Sequence, residues 1–216
     1  EITTRLVGSE MCIRDSRIMM KNLFQILCGL FLVVSYSSCM HSEEDKVDVL
    51  IIGGGASGVT SGIQSARMGA NTLILEESTW LGGMLTSAGV SAVDGNYRLP
   101  AGLWGEFKNR LSDYYGGLDS LKTGWVSNVL FEPSVGNKIL HEMVAAENNL
   151  KVWKQACLEE VKRTGDEWVA KVKVEGQGVK TVRAKVMIDA TELGDVAKMC
   201  GVKFCLLYTS PSPRDA

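Results

Sequence analysis

Apolar and polar positions change their period several times along this chain, and each change marks an element. Val49 to Ile52 is an unbroken apolar run, as a strand buried on both faces requires, and it enters a glycine cluster without a polar break. Ala56, Val59, Ile63 and Ala66 then recur at intervals of three and four, which predicts a helix with one apolar stripe, stopped near Gly69. Asn71 to Leu75 reads as a second strand. Ser78 to Ser87 (STWLGGMLTS) has no helical period and places Gly82 and Gly83 in a tight loop. Trp104, Phe107, Leu111 and Tyr114 mark a second helix; Val135, Ile139, Leu140, Met143 and Val144 mark a third, opening near Pro133. Val152 and its neighbours form another strand. Trp168, Ala170, Val172 and Val174 alternate with Lys171, Lys173 and Glu175, the pattern of a half-exposed antiparallel strand that Gly176 and Gly178 turn. Val179 to Arg183 returns, and Lys185 to Ile188 leads apolar residues into Asp189, Ala190 and Thr191. The expected fold is α/β: a Rossmann-like domain with a parallel sheet and a small β-meander.

The first strand, helix and second strand carry chemistry as well as pattern. Gly53, Gly55 and Gly58 have the GxGxxG spacing. The first glycine permits the tight strand-to-helix turn, the second lets backbone approach a pyrophosphate, and the third lets the helix sit close on the strand. The helix after this turn opens at Ala56 and Ser57, and its N-terminus, with roughly half a positive charge, points at the phosphates. Glu76 closes the second strand, where a carboxylate accepts both hydroxyls of an unphosphorylated adenosine ribose. A dinucleotide is therefore the expected ligand.

The segment after Glu76 separates two dinucleotides. A nicotinamide-binding fold usually continues into another helix and parallel strand, whereas here the glycine loop at Gly82 and Gly83 intervenes, placed to pass close to a pyrophosphate or flavin edge. The succession of βαβ unit, long insertion, helix, strand, meander and final strand fits FAD domains of the glutathione-reductase type. Three motifs carry a closer resemblance: GGGASG with Glu76, LGGM at Leu81 to Met84, and DATELGDVAKMCGVKF at Asp189 to Phe204. Over Val47 to Phe204 the chain resembles the N-terminal part of a bacterial FAD-dependent oxidoreductase of the GG(M)-containing family. The resemblance implies FAD as cofactor, with contacts at Ala190, Thr191, Gly194 and Asp195; Gly82, Gly83 and Met84 of the glycine loop are further candidates for binding it. Related flavoproteins often read DATGDGD in the last motif, so Glu192 departs from a common glycine; a carboxylate beside a diphosphate repels it, and Glu192 is expected to point away. The implied activity is transfer of a hydride or electrons between the flavin and a small-molecule substrate that the residues do not identify. An NAD-dependent dehydrogenase and a non-catalytic nucleotide-binding surface lipoprotein are the alternatives. No catalytic residue and no metal ligand set is assigned.

Residues before Asp48 suggest export. Lys21 precedes an apolar run of about fourteen residues, Leu23 to Tyr36, too short to span a bilayer comfortably. Ser37, Ser38 and Cys39 close it in the manner of a bacterial lipoprotein cleavage site, although Tyr36 departs from the usual aliphatic residue. Residues 17–39 are thus read as the signal, Cys39 as the lipidated residue, and 40–47 as a charged tether. Acyl chains there, at roughly 0.8 kcal/mol per buried methylene, would hold an exported protein on a membrane, periplasmic or attached to the outer membrane. At the ends, Leu6 to Asp15 (LVGSEMCIRD) and Leu206 to Arg214 (LLYTSPSPR) are related in an unusual way: one DNA segment encodes the first, and its complementary strand in a shifted frame encodes the second. Residues 1–16 and 205–216 therefore read as adapter-like sequence, and residues 48–204 as an incomplete FAD-binding domain.

Composition adds limits. The net charge of -2 shows no basic excess that would suggest nucleic acid. Of the six cysteines, the adapter and signal readings leave Cys157 and Cys200 in the mature domain, with no CxxC pair for a dithiol relay. Each is expected to be a small buried hydrophobe. His141 is expected at the edge of an apolar stripe, Trp80 and Trp104 in the core, and Glu159 and Glu160 on a solvated face.

Overall fold

The structure, a computed structural model, describes residues 44–93, 95, 97–122 and 127–203. The proposed signal, Cys39, the first half of the tether, Phe204 and both adapter-like ends lie outside these residues, while Glu44 to Val47 belong to the first strand. Six strands form one sheet in the order β3-β2-β1-β6-β5-β4: β1 (Glu44–Ile52), β2 (Thr72–Glu76), β3 (Leu150–Lys154), β4 (Ala156–Thr164), β5 (Glu167–Val174) and β6 (Gly178–Asp189). β3, β2, β1 and β6 run parallel, while β6, β5 and β4 form an antiparallel meander. Three longer helices are α1 (Ala56–Arg67), α2 (Gly102–Tyr115) and α3 (Pro133–Ala145), followed by the short α4 (Asp195–Met199).

The central strands are buried on both faces, as their unbroken apolar runs require. Ile51 and Ile74 face a core built with Val59 and Ile63 of α1, Phe107 and Leu111 of α2, and Ile139, Leu140 and Met143 of α3. Leu50, Ile52, Leu73 and Leu75 face the other way, toward Ala156, Ala170, Val172, Val182 and Val196. From Ala170 onward alternation in β5 is regular: Ala170, Val172 and Val174 are buried, Lys171 and Lys173 exposed, while Val169 before them is buried as well. Gly62 belongs to the buried face of α1 because a Cβ there would stand 2.6 Å from Ile74 Cδ1.

Three expectations need correction, and one strand goes beyond them. Val179 to Ile188 is not a return strand followed by a final strand; it is one strand, β6, that pairs antiparallel with β5 through Ala184 and parallel with β1 up to Asp189. Its mixed Lys, Arg and Val composition hides this, since residues 178–180 pair with β5 alone and only from Thr181 is the strand paired on both sides. The segment 156–164 is also a strand, which its polar composition does not announce; Glu159 and Glu160 are exposed as expected, because it lies at the sheet's edge. In α2 the stripe passes through Tyr115 rather than Tyr114: four residues beyond buried Leu111, the Tyr115 hydroxyl accepts the Glu132 N–H at 3.0 Å, while Tyr114 is 53% exposed. Finally, Cys157 and Cys200 are both exposed. Cys157 alternates with buried Ala156 along β4, so the pleat turns it outward; desolvation and the Glu77 carboxylate push its thiol above the ordinary value.

Candidate cofactor site

The site begins where β1 ends. Register pairs Ile52 with both Leu75 and Asp189, so β1, β2 and β6 stop level and release their loops on the same side of the sheet. Gly53 takes φ +101°, and a Cβ there would stand 2.5 Å from the Ala190 carbonyl oxygen. A Cβ on Gly58 would stand 1.8 Å from the Gly53 carbonyl oxygen and 3.3 Å from Ala190 Cβ. These two glycines let the first turn, α1 and the β6 loop occupy one place. Gly55 differs: its φ is ordinary at -64°, and a Cβ there would meet nothing within 4 Å. The room that this glycine keeps is open space at the N-terminus of α1, where a diphosphate needs it.

Gly54, which lies outside the GxGxxG spacing, proves to be the junction. Its N–H donates to Glu76 Oε2 at 2.7 Å, its carbonyl accepts the Gly82 N–H at 2.8 Å, and a Cβ would meet Leu81 Cδ2 at 2.9 Å. Only the run of three glycines hinted at it. Glu76 also accepts the Ser78 N–H at 2.7 Å, so both its oxygens are fixed by backbone while each keeps acceptor capacity for a hydroxyl.

The second glycine loop is held against the first. Gly82 has φ +107°, and Gly55 and Gly82 form an isolated parallel bridge. α3 props this loop: Asn137 Oδ1 accepts the Leu81 N–H at 2.9 Å, and Leu140 Cδ1 lies 2.6 Å from a Gly82 Cβ position. The buried Thr86 hydroxyl donates to the Leu81 carbonyl at 2.6 Å. Nothing in the apolar pattern of α3 announced that it serves this loop.

On the third side, Ala190 N–H donates to Ile52 O at 2.8 Å, tying the β6 loop to β1. Asp189 accepts the Thr191 N–H at 3.0 Å, the Thr191 hydroxyl at 2.6 Å and the Ala197 N–H at 2.8 Å. Burial pushes its carboxyl up, but the Thr191 hydroxyl and the Ala197, Thr191 and Val196 N–H groups prevail and hold it below the ordinary carboxylate range. Thr191 Oγ1 accepts the Asp195 N–H at 3.0 Å, and Gly194, with φ +71°, starts α4.

These three loops enclose a cleft of about 280 Å³. Of the residues singled out in the sequence, Gly53, Gly55, Glu76, Gly83, Ala190, Thr191 and Asp195 line it. Gly58, Gly82 and Gly194 shape its walls from behind; Ala56 and Ser57 begin α1 beside it, and Met84 is 60% exposed outside the lining. Ser78, Ser87, Ala156 and Leu158 also line the cleft and were not foreseen. A second hollow of about 420 Å³ shares Ile52, Glu77, Leu158, Thr191 and Asp195 with it and adds Val196, Lys198 and Met199, so the two form one trough. Glu192 is a correction. It lines the cleft instead of pointing away, with Oε1 3.3 Å from a Gly83 Cβ position, because the Thr191 turn that caps α4 carries its side chain inward. His141 and Trp104 stand outside this lining, and Trp104 packs against the core as expected.

A parallel sheet whose carboxyl ends converge on a glycine turn, a second glycine loop and an acid closing the second strand defines a dinucleotide-binding protein of the flavoprotein kind. The chain belongs to the FAD dependent oxidoreductase family, which it matches over residues 48–206, and its dinucleotide is FAD. No curated protein sequence matches it. Among solved structures it is similar to a flavoprotein/dehydrogenase from Cytophaga hutchinsonii (TM-score 0.55, 18% identity, 73% of this chain and 42% of that one). It is also similar to an anhydrotetracycline hydroxylase from Streptomyces rimosus (0.52, 15%, 72% and 34%). A geranylgeranyl bacteriochlorophyll reductase-like protein from Thermoplasma acidophilum is a third (0.50, 20%, 76% and 44%). At these identities the likeness is one of fold, and the chain spans less than half the length of the structures it matches.

Proposed function

We propose that this chain holds FAD for an oxidoreductase that moves a hydride or an electron pair between a small-molecule substrate and the flavin, on an exported protein anchored through lipid at Cys39. The observation that carries the cofactor reading is the open space beside Gly55, bounded by three loops that glycines alone allow to meet. Bound there, FAD supplies an isoalloxazine ring able to accept two electrons. The chain's own residues bind and orient. The amides that open α1 face the diphosphate, Glu76 accepts hydrogen bonds from the adenosine ribose, and Gly83, Thr191 and Asp195 border the passage toward the rest of the cofactor. The anchoring part of the proposal rests on the sequence from Lys21 to Cys39.

The full chain, purified in detergent and reconstituted with FAD, is expected to retain a yellow chromophore through gel filtration and to release it on denaturation. A colourless protein that binds NAD and takes up no FAD would overturn the reading.

A further inference from the structure

The charge of the cleft is opposite to what its ligand prefers. Glu76, Glu77, Glu192 and Asp195 line it, and among the described residues no lysine or arginine does; Lys198 lines only the adjoining hollow. None of the ion pairs among the described residues involves these acids. Nor does any group of three acids or imidazoles there come close enough to chelate a metal ion that would bridge them to a phosphate. The helix N-terminus of α1 is left as the local positive element, with roughly half a unit charge.

Within this arrangement Glu192 has a special position. One point, the place of a Cβ on Gly83, lies 3.1 Å from Gly55 Cα and 3.3 Å from Glu192 Oε1. Glu192 and Gly55 thus both border the point beside Gly83, and both line the cleft in which the open space at Gly55 would take a diphosphate. Glu76 is fixed by two backbone N–H groups at the other end, and its role toward a ribose uses its charge. We infer that Glu192 is an affinity-setting residue: its carboxylate opposes the cofactor diphosphate, so that FAD is held loosely and exchanges. This rests on the FAD reading above and deepens it. The ordinary salt dependence of anion binding is then inverted. Salt screens the repulsion of exposed acids over about 8 to 10 Å, so affinity rises with ionic strength instead of falling.

The test uses the full chain and its Glu192→Gln variant, with FAD binding followed by quenching of flavin fluorescence at low and high sodium chloride, and ADP and adenosine as competitors. An exposed glutamate tolerates this change without loss of fold. At low salt the variant is expected to bind FAD and ADP about tenfold more tightly, with adenosine unchanged. Wild-type affinity for FAD is expected to rise with salt and that of the variant to rise less. Equal FAD affinity in the two forms, weaker binding by the variant, or an equal gain for adenosine overturns the role of Glu192 while leaving FAD binding intact. Quenching by neither form, with no competition by ADP, overturns the FAD reading and this inference with it.

Discussion

Glycines that look alike in the sequence do different work at the level of single residues. Gly53 and Gly58 are required by the fold itself, one for its backbone angle and both for contacts that a methyl group would invade. Gly53→Ala and Gly58→Ala should each cost about 3 kcal/mol or more of folding stability, read as a drop in the urea midpoint. Gly55→Ala should leave stability within about 1 kcal/mol, since its angles suit alanine and its Cβ meets nothing. The same variant should weaken FAD binding by at least about tenfold, because the methyl group enters the space kept for the diphosphate. A Gly55→Ala protein that binds FAD normally would separate this open space from the cofactor. The GxGxxG spacing was legible in the sequence, but this division of labour was not, because it depends on Ala190, more than 130 residues away. Gly54 and Glu192 were hidden for the same reason: their neighbours arrive from other loops.

Elements position the site through level strand ends and through one short turn. Asp189 terminates β6 and organises the start of α4 by accepting hydrogen bonds from Thr191 and Ala197. Its carboxyl titrates below its ordinary value in the folded chain, so its contribution to stability is fully present above the unfolded value, near pH 4, and is lost as pH falls through the folded value. Asp189→Asn should therefore cost roughly 1 kcal/mol at neutral pH. The gap between variant and wild type should close as pH falls through the folded value of the Asp189 carboxyl, a pattern that urea titrations at neutral and strongly acidic pH would reveal. A gap independent of pH would mean that the side chain acts by shape alone. Long periodic elements, α1, α3 and β5, were legible because burial imposes their period. β4 and the continuity of β6 were not, because an edge strand needs no apolar signature and the polar residues Arg183 and Lys185 interrupt the apolar pattern of β6.

For the whole molecule, Arg67 ties separate parts of the helical layer together. It binds Glu106 of α2 in a two-pronged contact and Glu147 just beyond α3, and both partners hold its guanidinium above the ordinary value. These groups are partly exposed, so the network should contribute about 1 kcal/mol and fade with salt. On the scale of the cell, the proposed lipid anchor predicts that Cys39→Ser abolishes incorporation of labelled fatty acid in a bacterial host and moves the protein out of the membrane fraction. Label retained by that variant would place the lipid elsewhere.

The shared register of β1 and β6 also governs how this gene tolerates changes in length. Ile52 and Asp189 lie opposite each other at the exits of their strands, and side chains along a strand alternate between faces. One residue added in the Gly176 to Gly178 hairpin is absorbed by a turn. One residue added anywhere between Thr181 and Ile188 shifts the pairing by a single step and turns Asp189 to the opposite side of the sheet. Insertions and deletions should therefore accumulate in the meander's hairpins and be excluded from the strand that joins the meander to the cleft.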